Sequence, residues 1–374
     1  MRVVLVFVDM LRRDLVYSEK QFKNNEIANL LRGLGGTIFT NMWTPAPDTP
    51  RSLAVYYTGE NPDNNGCDRR YKWPRYFLNK ELGNIFQYVK KDTIRCFSNP
   101  NEREIGLFPS ELYCSQVTHN EDLDLSGYLE KQKQLNEYLD VICLPDLHWA
   151  NDDLRYDERK IEKILKPVAE SLQLVLNHYC KNDVDHIIIF SDHGFKYAHQ
   201  LKQEEESKFL NADRSNVYFQ HYQKNTNINV NQRLGSITGF RDFFYKLISG
   251  KVDYSSFYRD KVYIEDFLST GDAGVGSRPN IWARVDNLGY TAFQFSEIAL
   301  LDSPDTSLEF QRFCDDPANW TSFASLSMEL RLVARNRKLL TEKTTYTNGL
   351  IRQSSFFSKI TKLYRSLRKA LFQS

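Results

Sequence analysis

Short apolar runs recur along the first half of the chain, with polar or helix-like stretches between them. They span residues 2–9, 36–42, 93–98, 139–145 and 185–191. Apolar residues at nearly every position of a short run predict a strand that is buried on both faces. The clearest helical pattern begins near Asp157 and leads into the last run, and Pro167 is expected to kink this helix or to mark its true start. Alternating helices and buried strands predict an α/β fold, with an open and largely parallel sheet sandwiched by helices.

Polar residues that could carry chemistry stand at the ends of three of these runs. Asp9 closes the first run, Asp146 follows the fourth, and Asp192 and His193 follow the fifth, where Gly194 would allow a sharp turn. Reactive groups of open parallel sheets collect at the carboxyl ends of the strands. We therefore expect these residues to lie along one edge of the sheet.

The composition is that of a folded protein with an uneven charge distribution. The chain has 374 residues, of which 41% are hydrophobic and 13% aromatic, and this argues for a large core and against disorder. Residues 331–374 carry eleven lysines and arginines but a single acid, Glu342, so their net charge is +10. Because the whole chain carries +1, residues 1–330 carry −9. Such an acidic body is not expected to bind nucleic acid.

The basic segment has the pattern of an amphipathic helix. Its apolar residues recur at helical spacing: Ile360, Leu363, Tyr364, Leu367 and Leu371. Such a helix can lie on an anionic membrane surface, and it can also dock on the acidic body or form an oligomer contact. We divide the chain into a large α/β domain that contains the candidate site residues, residues 1–330, with room for a further boundary within 200–330, and a basic C-terminal helical tail, residues 331–374.

The start of the chain and its hydropathy predict a cytoplasmic location. No apolar stretch approaches the roughly 18 to 20 residues of a membrane span. Met1 and Arg2 lead directly into the run that ends at Asp9, without a secretory signal pattern. We expect a cytoplasmic protein, which the tail could attach peripherally to the inner membrane face.

Thr49 stands where a loop enters a helix. In residues 47–52, Pro-Asp-Thr-Pro-Arg-Ser, the threonine is expected to be the N-cap and Pro50 the first helical residue. A hydroxyl at a helix N-terminus lies near N–H groups that can bind an anion, which suits a nucleophile that attacks a phosphate. Thr49 could equally do no more than cap the helix. A nearby metal ion would favour catalysis, because it lowers the pKa of the hydroxyl.

Asp9, Asp192 and His193 have the chemistry of metal ligands. A carboxylate and an imidazole that follow a buried strand can share one divalent ion. A carboxylate at the end of a buried strand must be paired or ligated, because its isolated burial is costly. The alternatives are an ordinary Asp-His-Gly turn and a salt bridge from Asp9 to Arg12 or Arg13.

Taken in order, these residues resemble the alkaline phosphatase superfamily, especially its sulfatase-like and phosphodiesterase-like branches. Residues 9–14, Asp-Met-Leu-Arg-Arg-Asp, are similar to the sulfatase opening Asp-Asp-Leu-Arg-x-Asp. Thr49 falls where that family places its nucleophile, nine residues before Thr58 and Gly59. The resemblance covers about residues 1–200 and implies the alkaline-phosphatase-like fold.

Two departures from the sulfatase pattern favour phosphate esters over sulfate esters. Met10 replaces the second aspartate with which sulfatases hold Ca²⁺, and Thr49 replaces the cysteine or serine that they oxidise to formylglycine. Threonine cannot become formylglycine. The pattern resembles the phosphodiesterase, phosphonate-hydrolase and phosphoethanolamine- or phosphoglycerol-transferase branches. This resemblance implies one or two Zn²⁺ or Mn²⁺ ions held by Asp9, Thr49, Asp192, His193 and Asp146.

The resemblance leaves alternatives for the remaining histidines. Two-metal members place an aspartate and a histidine near the positions of Asp146 and His148 and add a distal histidine, for which His199 and His221 are candidates. With one metal, His148 and His199 would instead bind the substrate phosphate or protonate the leaving group.

The residues together imply a metal-dependent phosphoryl-transfer enzyme with Thr49 as nucleophile. Arg51 and Arg278 could clamp the phosphate oxygens. The substrate would be a phosphate ester of a glycan, a lipid or a small molecule, such as a cell-envelope glycan or glycolipid, and the enzyme could be a hydrolase or a transferase. The alternatives are a sulfatase-like hydrolase without formylglycine and a catalytically inactive relative that acts as a binding or scaffold protein in envelope polysaccharide assembly.

Overall fold

A central sheet with helices on both faces organises the described part of the chain. The computed structural model describes residues 1–18, 20–65, 67, 82–97, 124–132, 135–144, 146–147, 150, 157–182, 184–197, 200, 212–224, 226–266, 281–287 and 289–294. All of these residues belong to one structural unit, Met1–Ser296.

The described ranges contain the following elements. The strands are β1 (Arg2–Val8), β2 (Tyr17–Ser18), β3 (Gln21–Phe22), β4 (Thr37–Trp43), β5 (Ile94–Phe97), β6 (Tyr138–Leu144), β7 (His186–Phe190), β8 (Asn216–Gln223), β9 (Asn229–Asn231), β10 (Gly235–Ser236), β11 (Lys261–Asp266), β12 (Ile281–Asp286) and β13 (Gly289–Gln294). The α-helices are α1 (Glu26–Leu34), α2 (Thr49–Thr58), α3 (Pro62–Asn65), α4 (Leu125–Glu130), α5 (Ile161–Lys181), α6 (Ala212–Ser215) and α7 (Phe240–Ile248). Turns of 3-10 helix lie at Arg13–Leu15, Ile85–Tyr88, Lys91–Thr93, Glu158–Lys160, Ile237–Gly239 and Tyr254–Phe257.

The large sheet is mostly parallel, as the sequence predicted. Its strand order is β10-β4-β8-β7-β1-β6-β5, with β9 beside β4. Strand β8 pairs antiparallel with both of its neighbours, whereas the other pairings in this sheet are parallel. The carboxyl ends of β1, β4, β6 and β7 therefore meet at one edge, where polar residues were expected. A smaller antiparallel sheet contains β11, β12 and β13.

The two faces of β1 contribute to two hydrophobic cores. Val3, Leu5 and Phe7 pack in one core with residues of α2 and α7. The even-numbered valines of the strand pack in the other core with residues of α1 and α5. Side chains of a strand alternate between its faces, so a strand covered on both sides needs apolar residues at every position. This is why the first run of the sequence is apolar without interruption.

The helix predicted to begin near Asp157 is α5, which follows a 3-10 turn. Pro167 lies inside α5, so it does not mark the start of the helix. Six apolar residues recur at helical spacing along one face of α5. Five of them are buried, Ile164, Leu165, Val168, Leu172 and Val175, and Ile161 is partly buried.

Strand β8 was not predicted, because polar residues interrupt its apolar pattern. Gln220 and His221 are buried inside it. The side-chain amide of Gln220 donates to the carbonyl oxygens of Leu31 and Gly35, at 2.9 and 2.6 Å. These hydrogen bonds remove the cost of burying an amide, and only the three-dimensional structure shows that they exist.

The predicted basic tail, residues 331–374, lies outside the described residues. None of the helices in the described ranges combines the length and the apolar character that a membrane span requires.

Candidate metal and nucleophile site

Asp9, Asp192 and His193 converge at the carboxyl edge of the large sheet and form what we call the ligand cluster. Each offers one ligand atom, and these atoms lie within 4.8 Å of one another. They come together because β1 and β7 are neighbouring parallel strands, and the chain leaves both strands at the same edge. All three side chains are buried.

The ring of His193 is held in the tautomer that suits a metal ligand. Its Nδ1 lies 2.8 Å from the carbonyl oxygen of Gly194. A carbonyl oxygen only accepts hydrogen bonds, so Nδ1 carries the proton and donates it. In the neutral ring, Nε2 then keeps its lone pair, and it lies 3.2 Å from Oδ2 of Asp192. A donor bond from one ring nitrogen to a carbonyl is the arrangement that orients metal-bound histidines.

Asp192 is a buried carboxylate with one satisfied oxygen. Its Oδ1 accepts the backbone N–H groups of Met10, at 3.2 Å, and His193, at 2.8 Å. Its Oδ2 has no hydrogen-bond partner in the described part of the chain. Burial raises the pKa of Asp192 to about 6, an effect that His193 opposes and the nearby charge of Asp9 reinforces. Two adjacent carboxylates inside a protein favour a bound cation, so these residues fit a divalent metal ion.

Met10 has an unusual backbone conformation next to Asp9. Its φ angle is +62°, in the left-handed region that residues with a side chain seldom adopt. This conformation directs its N–H to Oδ1 of Asp192. Where sulfatases have a second aspartate, this chain thus has a buried apolar residue whose backbone orients another ligand.

Thr49 is the first residue of α2 and not its N-cap, which corrects the prediction. The N-cap is Asp48, whose Oδ1 accepts the backbone N–H of Arg51 at 3.2 Å. The Thr49 hydroxyl is therefore not the capping group. Its Oγ1 lies 3.3 Å from Nε2 of His193, beside the ligand cluster.

Two further hydroxyl groups tie α2 to the loop that carries the ligands. Ser52 Oγ donates to the carbonyl oxygen of Asp192 at 2.7 Å, and the Tyr56 hydroxyl donates to that of Ser191 at 3.0 Å. Residues four apart lie on the same face of a helix, so both bonds form together. We did not identify Ser52 and Tyr56 from the sequence, although two hydroxyls at this spacing in a buried helix were a usable signal.

Arg51 lies inside the protein, in a position that differs from the predicted phosphate clamp. Its side chain is 0% exposed. Its Nε donates to Oδ2 of Asp48, and its Nη1 donates to Oε1 of Glu265 at 2.9 Å. The guanidinium group donates to these two carboxylates, and its surface is not accessible to a substrate.

Arg12 has partners other than Asp9, contrary to one alternative considered for the sequence. It makes a two-pronged ion pair with Asp14, at 2.9 and 2.8 Å, and a second ion pair with Asp213 at 2.8 Å. Gly194 passes close to this group. A Cβ atom on Gly194 would lie 2.5 Å from the carbonyl oxygen of Asp213 and 2.8 Å from Cγ of Arg12. Glycine is thus required there for a close approach and not for a left-handed turn.

Asp146 follows β6 at the same edge of the sheet but is not in the ligand cluster. Its carboxylate forms a hydrogen bond with Ser171 of α5, and burial raises its pKa. Among the described residues, the group of possible ligands contains only Asp9, Asp192 and His193. Three further predicted site residues lie outside the described residues: His148, His199 and Arg278.

His221 is not positioned as a distal metal ligand. It pairs with Thr37, the first residue of β4, and so lies toward the edge opposite to the ligand cluster. Its ring is buried, with Nε2 at 3.1 Å from Nδ1 of His186 and Nδ1 at 2.8 Å from the hydroxyl of Tyr254. It belongs to the internal packing of the sheet.

No protein-family model and no curated protein sequence matches this chain. Solved structures do match it. A phosphonate monoester hydrolase from Silicibacter pomeroyi has a TM-score of 0.55 and 11% identity, and the match covers 90% of this chain and 95% of that chain. A protein in the alkaline phosphatase superfamily from Vibrio parahaemolyticus has a TM-score of 0.53 and 10% identity, covering 79% and 77%.

A third solved structure holds a sulfated sugar. This protein is in complex with its substrate, D-glucosamine-2-N,6-O-disulfate, and has a TM-score of 0.54 and 9% identity, covering 90% of this chain and 98% of that chain. The present chain thus has the fold of the alkaline phosphatase superfamily. This confirms the predicted fold class and, at the level of the fold, the resemblance.

Proposed function

We propose that this protein is a metal-dependent phosphoryl-transfer enzyme in which Thr49 is the nucleophile. The observation that carries the proposal is the 3.3 Å distance between Oγ1 of Thr49 and Nε2 of His193. It brings a hydroxyl from the start of α2 to a buried pair of carboxylates and an imidazole. A hydroxyl, two carboxylates and an imidazole are the groups that metal-assisted attack on a phosphate ester needs.

Asp9, Asp192 and His193 would hold one divalent ion, with Thr49 as a further donor. Oxygen and imidazole donors of this kind suit Zn²⁺ and also Mn²⁺. The bound ion would supply positive charge that lowers the pKa of the Thr49 hydroxyl and neutralises phosphate oxygens.

The reaction has two steps on Thr49. In the first, Oγ1 of Thr49 forms a bond to phosphorus, the hydroxyl loses its proton, and the bond from phosphorus to the leaving oxygen breaks. The leaving group departs as an alcohol after taking up a proton. In the second, water or an acceptor hydroxyl attacks the phosphothreonine and restores the Thr49 hydroxyl. Water makes the enzyme a hydrolase, and a sugar or lipid hydroxyl makes it a transferase.

The substrate that we propose is a phosphate ester of a glycan, a lipid or a small molecule. The similarity in fold to a phosphonate monoester hydrolase supports chemistry at phosphorus. The second candidate is sulfate-ester hydrolysis by an unmodified threonine, favoured by the similar structure that binds a disulfated glucosamine. We prefer the first, because threonine cannot form formylglycine. Attachment of the enzyme to an anionic membrane by the basic tail is a separate proposal.

Activity assays on metal-loaded protein test this function. The metal-free protein is reconstituted with Zn²⁺ or Mn²⁺ and given bis-p-nitrophenyl phosphate, p-nitrophenyl phosphate or p-nitrophenyl sulfate. We expect turnover of a phosphate ester that is lost in Thr49→Ala and kept in Thr226→Ala, a matched change at an exposed threonine. Turnover of the sulfate alone would select the sulfatase alternative. Metal binding without turnover of any ester would select the scaffold alternative.

A further inference from the structure

Arg51 joins the start of α2 to the end of β11, and we infer from this that it positions Thr49 for reaction. The inference rests on the proposed function, because it treats Thr49 as the reacting group. Arg51 acts through the backbone on either side of Thr49.

The first set of hydrogen bonds joins Arg51 to Asp48, three residues earlier in the chain. Oδ1 of Asp48 accepts the backbone N–H of Arg51, and Oδ2 of Asp48 accepts from Nε of the same arginine. The two bonds close a ring around residues 48–51. Thr49 lies inside this ring, so the direction in which its side chain leaves the helix is fixed by Asp48 and Arg51 together.

A second set of hydrogen bonds joins Arg51 to Glu265 in strand β11. Nη1 and Nη2 of Arg51 donate to Oε1 and to the carbonyl oxygen of Glu265, at 2.9 and 3.2 Å. The backbone N–H of Glu265 donates to the carbonyl oxygen of Pro45 at 2.9 Å. Strand β11 therefore holds the chain both before and after Thr49.

The same network reaches the loop that carries His193. Oδ1 of Asp266 lies 3.9 Å from Nη2 of Arg51. Oδ2 of the same aspartate accepts a hydrogen bond from Nη1 of Arg214 at 2.7 Å. The carbonyl oxygen of Arg214 accepts the N–H of Gly194, the residue after His193, at 2.8 Å. One connected set of contacts thus fixes the backbone next to both the nucleophile and a metal ligand.

The charges make this network rigid. Three buried carboxylates, on Asp48, Glu265 and Asp266, face two guanidinium groups, on Arg51 and Arg214. Removing one member of a buried ion pair leaves a charge without compensation and is costly. A lysine in place of Arg51 would keep the charge, but a single ammonium group cannot bond Asp48 and Glu265 in one plane as the guanidinium does.

Nuclear magnetic resonance of the metal-free protein tests the positioning without any need for turnover. At about pH 8, where an ordinary histidine is neutral, the ¹⁵N shift of His193 Nε2 reports its contact with the Thr49 hydroxyl. His193→Gln assigns the signal, and Thr49→Val gives its position without the hydroxyl. We expect the signal in Arg51→Lys to move toward its position in Thr49→Val.

Arg95→Lys is the matched control. Arg95 also makes a two-pronged pair with a buried carboxylate, that of Asp140 near the start of β6, so this variant loses the same kind of interaction. We expect its His193 signal to stay at the wild-type position. Should Arg51→Lys fail to fold, Asp48→Asn replaces it, because asparagine is an equally good N-cap but carries no charge for Arg51.

Kinetics on bis-p-nitrophenyl phosphate provide the second readout. Misplacement of a reacting group by an ångström can cost about 10²-fold in rate. We therefore expect kcat of Arg51→Lys to fall by about this factor with KM and metal stoichiometry unchanged, while Arg95→Lys keeps its kcat. A wild-type His193 signal in a folded Arg51→Lys protein would overturn the inference. Absence of turnover in the wild type would instead refute the proposed function, and the resonance experiment would still decide the role of Arg51.

Discussion

The hydroxyl of Thr49 and the imidazole of His193 lie 3.3 Å apart although 144 positions separate them in the sequence. They follow strands β4 and β7, which are not neighbours, because β8 lies between them. The N–H of Thr44 donates to the carbonyl oxygen of Ser215 at 3.0 Å, which extends the pairing of β4 with β8 by one residue beyond β4. Helix α2 begins five residues later and contacts the ligand loop through Ser52, whose Oγ donates to the carbonyl oxygen of Asp192.

A phosphorylated Thr49 should accumulate transiently during turnover. Rapid quenching of the metal-loaded enzyme with bis-p-nitrophenyl phosphate, followed by mass spectrometry, should find one p-nitrophenyl phosphoryl group on the peptide that contains Thr49, because only one of the two p-nitrophenol groups leaves in the first step. Loss of a catalytic nucleophile removes most of the rate, on the order of 10³-fold or more, so Thr49→Ala should show neither burst nor label. Thr49→Ser keeps the hydroxyl and should still be labelled. A label on any other residue would refute the assignment.

A divalent ion should stabilise the folded protein through the ligand cluster. Zn²⁺ at a hundredfold excess over its Kd should raise the free energy of unfolding by about 2.7 kcal/mol, because the ion binds the folded state. Asp9→Asn removes a ligand charge and should lose most of this increase in calorimetric scans. An undiminished increase in Asp9→Asn would place the ion elsewhere.

Asp146 should not contribute to the same ion. Its carboxylate forms a hydrogen bond with Ser171 of α5, away from the ligand cluster. Elemental analysis of Asp146→Asn should therefore find the metal content of the wild type. A loss of one of two ions in this variant would restore the two-metal alternative.

Gly194→Ala should destabilise the loop that carries His193. The added Cβ would meet the backbone oxygen of Asp213 at 2.5 Å, and relief of such a clash costs about 1 to 3 kcal/mol. Gly33→Ala is the matched control, because nothing lies within 4 Å of a Cβ at this position in α1. There alanine should raise the free energy of unfolding by up to about 1 kcal/mol. Urea unfolding of both variants measures the contrast, and equal effects would contradict it.

Acid should destabilise the protein in part through His221. Burial and the neighbouring His186 lower the pKa of His221 to about 3, whereas its value in the unfolded chain is about 6.5. Between these two values the unfolded chain binds a proton that the folded protein does not, so the free energy of unfolding decreases as the pH falls.

The size of this effect follows from the same linkage. Between about pH 7.5 and 5.5 the wild type should lose about 1 kcal/mol more than His221→Gln. Urea unfolding at the two pH values gives the difference. The same loss in both proteins would show that His221 does not take part.

Individual elements show which parts of the structure the sequence predicted and which parts it did not. The uninterrupted apolar runs of β1 and β7 identified the parallel sheet and predicted that Asp9, Asp192 and His193 would share an edge. Strand β8 was missed, because its polar residues are satisfied by partners that are distant in sequence. The N-cap was assigned to Thr49 although Asp48, also a good capping residue, stood directly before it.

Sequence alone determined the strands β1, β4, β5, β6 and β7, the edge at which polar residues collect and the candidate reactive groups, because these depend on local periodicity and on residue type. Only the tertiary structure decided that Arg51 is buried, that Asp146 and His221 lie outside the ligand cluster, and that Ser52 and Tyr56 hold α2 against the ligand loop. Each of these depends on which distant segments pack together. Such packing is set by the order of strands in the sheet, which a pattern of neighbouring residues does not record.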